Sequence, residues 1–125
     1  MQASYTIESW QETPISEDQE TKLTRAEVTK THSGQLVGNE AMTYTIAYAD
    51  KSRSVFSGTG IFQGELNGVP GTYAIIERGS FHGDTVQARF AVYELTTQNT
   101  SSPLNIVTEA DYTATGHGLV AYRIN

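Results

Sequence analysis

Alternation with a period of two runs through most of this sequence and constrains its fold more than any other feature. β-Branched and aromatic residues alternate with small or polar ones in most of its segments. One side of the run 40–49 carries Met42, Tyr44, Ile46 and Tyr48. Successive strand residues point to opposite faces, so this pattern is typical of strands with one buried face. Because no segment shows a convincing helical period, the chain is predicted to be all-β.

Eight strands are predicted from these runs and from the turn residues between them. Their approximate ranges are 2–10, 22–32, 40–49, 53–66, 72–80, 85–96, 104–115 and 119–124. The segment 11–21 is acidic, polar and contains Pro14, which predicts a solvated loop. A polar loop at 97–103 and a turn at 116–118 are also expected. Eight antiparallel strands favour a closed β-barrel, with a two-sheet β-sandwich as the alternative, in a single domain over residues 1–125.

The segment SGTGIFQG, residues 57–64, raises the question of a nucleotide site. A dinucleotide fingerprint needs the spacing G-x-G-x-x-G between a strand and a helix. Here the spacing is G-x-G-x-x-x-G, and Ile61 and Phe62 continue the strand period where a helix would begin. Alternate glycines on one strand face leave room for a neighbouring aromatic ring and allow the coiling that closes a small barrel. The glycines therefore favour the barrel over the sandwich.

Charge and residue usage narrow the classes of partner. Eight Lys and Arg against fourteen Asp and Glu give a net charge of −6, so no nucleic acid partner is expected. The chain has no Cys, which excludes disulfides and thiolate chemistry. It has neither a signal-peptide pattern nor the roughly 18 consecutive apolar residues of a membrane helix. We therefore expect a cytoplasmic protein without membrane contact.

Charged residues inside strands are the first candidates for chemistry, because burying a charge costs several kcal/mol unless it is paired. They are Glu27, Glu77, Arg78, Arg89 and Glu109. Glu77 continues the apolar face of Tyr73 and Ile75, and a carboxylate in a pocket there would have a raised pKa suited to proton transfer. Glu77 is therefore the candidate catalytic residue. The alternative is a structural role, either at an exposed strand end or in an ion pair with Arg78 or Arg89.

Aromatic residues are candidates for a ligand pocket, since small-molecule sites have mostly apolar walls with a few polar groups. The candidate ligand-binding residues are Trp10, Tyr44, Tyr48, Tyr73, Arg89 and Phe90. Core packing would explain the aromatic residues equally well without a ligand. The three histidines, His32, His82 and His117, lie far apart without the spacing of a metal site, so neither a metal nor a cofactor is expected.

The predicted strand 72–80 is apolar on both faces as far as Ile76. A strand that is apolar on both sides is usually buried on both sides, which in a closed barrel requires a loop or another subunit on the outside. The sequence therefore also predicts a homo-oligomer.

Several short motifs resemble those of a bacterial protein family. They are Ser9-Trp10-Gln11-Glu12, Ala26-Glu27-Val28-Thr29-Lys30, Ser33-Gly34-Gln35-Leu36-Val37-Gly38, Phe62-Gln63-Gly64-Glu65-Leu66-Asn67-Gly68 and Gly71-Thr72-Tyr73. They resemble a domain of unknown function grouped with the allene oxide cyclase-like barrels, although Gln11 and His32 depart from its pattern. The resemblance implies an eight-stranded antiparallel barrel that often forms oligomers. By analogy of fold it also implies an apolar lumen, but no particular activity.

Three hypotheses follow for the function. The first is a protein that binds a small apolar or amphipathic molecule in the barrel lumen. The second is a cofactor-independent isomerase or cyclase that uses an in-strand carboxylate. The third is an oligomeric structural module with a filled barrel. An open lumen of roughly 300 Å³ or more would be compatible with the first two, whereas a filled lumen would exclude both.

Overall fold

The computed structural model describes residues 2–18, 21–97, 106–115 and 120–124, which form eight strands. The strands are β1 (Gln2–Asp18), β2 (Thr21–Ser33), β3 (Leu36–Asp50), β4 (Arg53–Leu66), β5 (Val69–His82), β6 (Thr85–Thr97), β7 (Ile106–Thr115) and β8 (Val120–Ile124). Each strand pairs antiparallel with the next, and β8 pairs with β1, so the sheet closes into a barrel. The predicted barrel is confirmed and the sandwich is excluded. The loop predicted after β6, the turn predicted at 116–118 and His117 lie outside the described residues.

Side chains at alternate positions of the strands fill the interior of the barrel. On β3, Met42, Tyr44 and Ile46 are buried, while the residues between them are exposed or half-buried. On β6 the inward side carries Val86, Ala88, Phe90 and Val92. These side chains belong to one cluster of buried hydrophobic residues to which all eight strands contribute. The core therefore lies inside the barrel, and its inward positions can be read from period two alone.

Residues 11–18 form a strand, contrary to the predicted loop. They continue β1 and pair with β2 from Gln11, opposite Glu27, to Asp18, opposite Thr21. The register shifts next to Pro14, where a proline is tolerated because a bulge or an edge strand does not need its missing N–H. The polar composition of this segment reflects its exposure to solvent and not a lack of pairing.

The glycines of β4 lie within the strand and face the interior. A Cβ atom on Gly58 would lie 2.5 Å from the ring atom Cδ1 of Tyr44, and one on Gly60 would lie 2.3 Å from Sδ of Met42. The prediction that these glycines leave room for neighbouring side chains is therefore confirmed. Asn67 and Gly68, with φ of 50° and 84°, form the tight turn to β5.

Two strands extend further than predicted. β3 begins at Leu36 and β5 begins at Val69, so positions that resemble turns in the sequence lie inside the sheet. The reason is close backbone approach: Gly38 pairs with Gly64, and a Cβ on Gly38 would lie 2.2 Å from the carbonyl oxygen of Gln63. Glycine at these positions serves strand contact and not chain reversal.

The barrel is closed by the short strand β8, and we call its pairings with β1 and β7 the seam. Among the described residues, β8 pairs with β1 from Gln2 to Tyr5 and with β7 at Ala110 and Asp111. The rest of β1 has β2 as its only described neighbour in the sheet. Inward-facing side chains near this part of β1 are less covered, and Trp10 is 46% exposed. We call this end of the barrel, where β3 ends at Asp50 and β5 ends at His82, the mouth.

Candidate functional site

A network of polar side chains occupies the centre of the barrel. Oε1 of Glu77 accepts hydrogen bonds from the Tyr44 hydroxyl at 2.7 Å and from the Lys30 ammonium at 3.3 Å. Oε2 of Glu77 accepts a hydrogen bond from the Tyr112 hydroxyl, which in turn accepts one from Tyr5 at 3.1 Å. Lys30 also donates to the Tyr44 hydroxyl at 2.5 Å. Glu77 and Lys30 are only 2% and 3% exposed, so their charges are compensated almost entirely by each other and by the hydroxyl groups. We call these five residues the interior network.

The strand register explains how the network assembles. Gly58 on β4 lies opposite Tyr44 on β3 and opposite Glu77 on β5. Because Gly58 has no side chain, the Tyr44 ring can lie across β4 and reach the carboxylate on the next strand. Lys30 comes from β2, two residues beyond Val28 on the same inward face. The glycine row and the period of two therefore bring together side chains that are far apart in sequence.

The electrostatics keep the network in one charge state. Burial alone would lower the pKa of Lys30, but the charges of Glu77 and Glu40 outweigh burial and raise it. Burial raises the pKa of Tyr44 and of Tyr112, and the nearby Glu77 charge raises both further. At neutral pH the network therefore holds a charged lysine and protonated tyrosines.

A second buried group lies next to Lys30. Nε2 of His32 is 2.5 Å from Oε1 of Glu40, and Nδ1 of His32 is 2.7 Å from the Tyr122 hydroxyl. The other oxygen of Glu40 has no hydrogen-bond partner among the described residues. Glu40 lies directly opposite Lys30 in the β2–β3 register. The barrel interior thus contains a second carboxylate, of which one oxygen, Oε2, accepts no hydrogen bond from the described residues.

A group of side chains at the mouth surrounds the carboxylate of Glu12. Its Oε1 accepts a hydrogen bond from the Trp10 indole at 3.0 Å, and its Oε2 accepts hydrogen bonds from Thr24 and Tyr48, each at 2.6 Å. Burial alone would raise the pKa of Glu12, but these hydrogen bonds and the charge of Lys22 outweigh burial and lower it. Glu12 is therefore a fixed anion at the mouth.

Aromatic rings extend from this carboxylate toward the interior. The Trp10 ring stacks on the Tyr44 ring, with centroids 6.3 Å apart and planes inclined by 20°. Tyr44 also meets Phe56 edge to face at 5.5 Å. Ala26, on the strand between them, lies opposite Glu12 on β1 and opposite Tyr44 on β3. We call Trp10, Glu12, Tyr44, Tyr48 and Phe56 the mouth cluster; Tyr44 belongs to both groups.

The six predicted ligand-binding residues divide into three groups. Trp10, Tyr44 and Tyr48 meet in the mouth cluster. Tyr73 and Phe90 are buried elsewhere in the core, where Tyr73 packs on Phe62 and Phe90 packs on Tyr122. Arg89 lies on the outer wall and forms a 2.7 Å ion pair with Asp111. The structure therefore places half of the predicted set in one location.

Glu77 is the one predicted in-strand charge that faces the interior. The other four, Glu27, Arg78, Arg89 and Glu109, are exposed on the outer wall. The alternative of an exposed strand end or an ion pair with Arg78 or Arg89 is wrong, because the partner of Glu77 is Lys30. Arg78 and Arg89 point to the opposite face, since each follows a buried residue by one position.

The sequence-based prediction missed several interior residues. Lys30 follows Ala26 and Val28 at a spacing of two, and Glu40 precedes Met42 in the same way, so simple alternation could have placed both inside. Glu12 is not predicted, because the polar composition of its segment indicates a loop. Nothing in the sequence signals Tyr112, whose role depends on how β7 aligns with its neighbours.

Two shallow grooves lie on the barrel wall. One, of about 620 Å³, crosses β4 to β7 and is lined by the exposed residues Val55, Arg78 and Arg89 and by the inward-facing residues Phe56, Ala88 and Tyr112. The other, of about 660 Å³, crosses β1 to β3 and is lined by Trp10, Glu27 and Thr43, among others. Tyr112 is the only member of the interior network on either wall. The first groove therefore borders the interior network at Tyr112, whose hydroxyl donates to Glu77.

Neither a metal-binding group nor a membrane-spanning helix is present among the described residues. In the described ranges, no group of three or more His, Cys, Asp or Glu side chains could hold a metal ion. His32 contacts Glu40 and Tyr122, whereas His82 is exposed at the end of β5. No helix in the described part of the chain is long and apolar enough to cross a membrane.

Comparison with known proteins gives a family and no activity. No curated protein matches the chain. A family model with the description "Protein of unknown function (DUF3224)" matches residues 1–122, which is nearly the whole sequence. The eight-stranded closed sheet, the interior network and the mouth cluster are thus features of a protein that belongs to the DUF3224 family.

Proposed function

We propose that this protein binds a small amphipathic molecule at the mouth of the barrel, in the cytoplasm. The proposal rests on a series of contacts that leads from the solvent-exposed Trp10 to the buried carboxylate of Glu77. Trp10 is half exposed, its ring stacks on Tyr44, and the Tyr44 hydroxyl donates to the buried Glu77 carboxylate. A molecule with its apolar part against these rings would place its polar part beside ordered hydrogen-bonding groups.

The composition of the mouth cluster fits this type of ligand. Three aromatic rings and a half-buried phenylalanine supply apolar walls, while Glu12 and the hydroxyl of Tyr48 supply fixed polar groups. Small-molecule sites typically combine these two elements. The similarity of the motifs to allene oxide cyclase-like barrels of bacteria supports the same proposal, because it implies an apolar ligand space by analogy of fold.

The isomerase hypothesis has weaker support. A general base needs a free oxygen within hydrogen-bond reach of the proton that it removes. Both oxygens of Glu77 already accept hydrogen bonds from Lys30, Tyr44 or Tyr112. The interior network is therefore better suited to forming a polar floor beneath a ligand than to proton abstraction.

Energy transfer from Trp10 tests the proposal, because Trp10 is the only tryptophan of the chain. The probe is N-phenyl-1-naphthylamine, an uncharged apolar dye that accepts tryptophan emission. We expect saturable transfer with one dye per chain. The Phe56→Ala variant should bind the dye at least about tenfold more weakly, since it removes a wall of the site.

Val55→Ala is the matched control, because Val55 neighbours Phe56 but is exposed in the groove on the outer wall. It should leave dye binding unchanged. Absence of saturable transfer would overturn the proposal. So would loss of binding in Val55→Ala, whether or not Phe56→Ala also loses it, because Val55 and Phe56 both line the groove across β4 to β7 and the dye would then occupy that groove.

We also propose that two copies of the chain associate through the outer wall. Cross-strand pairing aligns an uncharged, mostly apolar row across five strands, namely Ala41, Ile61, Ala74, Tyr93 and Ile106. Glu65 follows Ile61 on β4, and Arg78 follows Ala74 on β5 by the same number of residues. Because the two strands are antiparallel, Glu65 and Arg78 lie on opposite sides of the row. A two-fold axis along the row would bring the Arg78 side of one copy against the Glu65 side of the other, which favours a second copy as the partner.

Sedimentation velocity tests this association. We expect the wild-type chain to sediment as a dimer and Ile61→Asp to sediment as a monomer, because a charge at the centre of an apolar interface is strongly unfavourable. Val55→Asp, on the same strand outside the row, should remain dimeric. A monomeric wild-type chain, or a dimeric Ile61→Asp variant, would refute the proposed interface.

A further inference from the structure

The mouth cluster has the chemistry of a site for an organic cation. Its aromatic faces carry partial negative charge, and the face of a tyrosine or tryptophan ring attracts an ammonium group within about 6 Å. Glu12 adds a full negative charge at the centre of the same cluster. We infer that the mouth selects amphipathic molecules whose polar end is an ammonium group, and this inference rests on the function proposed above.

The chain's own cations show that rings in this barrel are used in this way. The Lys22 ammonium lies 4.8 Å from the centre of the Tyr48 ring, at the rim of the mouth. Deeper inside, the Lys30 ammonium lies 4.3 Å from the centre of the Tyr5 ring and 5.1 Å from that of Tyr44. Lys22 is exposed, so an incoming ammonium group can displace it from Tyr48 at little cost.

Both carboxylates and cations face the mouth and the interior. The carboxylates are Glu12, Glu40 and Glu77, and the cations are Lys30, exposed Lys22 at the rim and His32 when protonated. Glu77 is neutralised by Lys30, and His32 contacts Glu40. Glu12, by contrast, accepts its hydrogen bonds from neutral side chains. A ligand carboxylate would meet this charge at close range, whereas an ammonium group would be attracted to it.

Three ligands with the same eight-carbon chain test the inference: octyltrimethylammonium, 1-octanol and octanoate, each used below the concentration at which it forms micelles. Binding is followed by Trp10 emission. We expect octyltrimethylammonium to bind about five- to thirtyfold more tightly than 1-octanol, which corresponds to a cation–π contribution of about 1 to 2 kcal/mol. Octanoate should bind most weakly.

Two substitutions in the mouth cluster and its rim probe the same point in opposite directions. Glu12→Gln should reduce the preference for ammonium over alcohol, because it removes the charge but keeps an acceptor. Lys22→Gln should increase that preference, because it removes the competing cation from the Tyr48 face. Glu27→Gln is the matched control, since Glu27 lies on the outer wall of β2, where it contacts Arg25 and Thr43.

The outcomes separate this inference from the proposed function. Equal binding of all three ligands, or preferential binding of octanoate, would overturn the ammonium preference while leaving a binding site at the mouth. No binding of any ligand would overturn both. If Glu12→Gln does not fold, an unchanged preference in Lys22→Gln would still overturn the inference.

Discussion

Lys30 and Glu77 are removed from water in the centre of the barrel and depend on each other. Replacing either partner leaves an uncompensated buried charge, which typically costs about 3–5 kcal/mol of the free energy of unfolding. We expect Lys30→Met and Glu77→Gln each to destabilise the protein by about that amount. The double variant should lose less than the sum of the two, because neither Lys30 nor Glu77 then remains without the other. Urea unfolding measures all three.

Arg89→Met provides the comparison for this prediction. Arg89 also forms an ion pair, but on the exposed outer wall, where such pairs contribute about 0–1 kcal/mol. A cost in Lys30→Met as small as that in Arg89→Met would contradict the account of the interior network.

The tyrosines give a second prediction at the residue scale. Six of the seven tyrosines have a raised pKa, mainly through burial: Tyr5, Tyr44, Tyr48, Tyr73, Tyr112 and Tyr122. The pKa of Lys30 is raised as well. A raised pKa in the folded state favours the protonated form, so this stability is complete below the unfolded values of about 10 and is lost as pH rises above them.

Ultraviolet absorbance of phenolate against pH checks this prediction. We expect most tyrosines to ionise only above pH 10, together with loss of the near-ultraviolet circular dichroism of the fold. Tyr48, at the mouth, has a pKa raised to about 12, by burial first and then by Glu12. Gradual ionisation of all seven tyrosines near pH 10 with the fold intact would show that the hydroxyls are not buried as described.

At the scale of single elements, β4 tests the role of glycine. A Cβ on Gly60 would lie 2.4 Å from the backbone oxygen of Ala41, which cannot move without shifting β3. We expect Gly60→Ala to destabilise the barrel by about 1–3 kcal/mol in urea unfolding. Thr59→Ala, one position away on the exposed face, should change stability by at most about 0.5 kcal/mol. Equal effects of the two substitutions would rule out close packing as the reason for the glycine row.

Elements also differ in how well the sequence predicts them. β3 and β6 follow from alternation because one face is buried and the other is not. The outer half of β1 does not follow, because residues 11–18 are mostly exposed and so lack the hydrophobic signal on which the prediction depends. Pairing is a property of the backbone, and a polar strand held by one neighbour leaves little trace in side-chain composition.

At the scale of the whole molecule, the contacts within the site depend on how the strands align in the closed barrel, which the sequence does not show directly. Glu77 was identified because it continues an apolar face within its own strand. Its contact with Lys30, 47 residues away, depends on the register of three strand pairs, and a shift of one residue in any of them would turn a side chain outward. The mouth cluster likewise depends on β1 continuing past the seam. Single side chains could therefore be predicted, but not which of them meet.

The indole N–H of Trp10 gives the most direct measurement of the central claim, that the mouth of the barrel binds an amphipathic molecule. In a ¹⁵N-labelled sample it contributes the only tryptophan indole signal, and it donates to Glu12 at 3.0 Å inside the proposed site. During titration with octyltrimethylammonium we expect this signal to shift and to saturate together with the backbone signals of Tyr48 and Phe56. An indole signal that stays in place would contradict the account, and so would one that shifts together with the signals of Ala41 and Thr43 in the groove across β1 to β3 while Tyr48 and Phe56 do not shift.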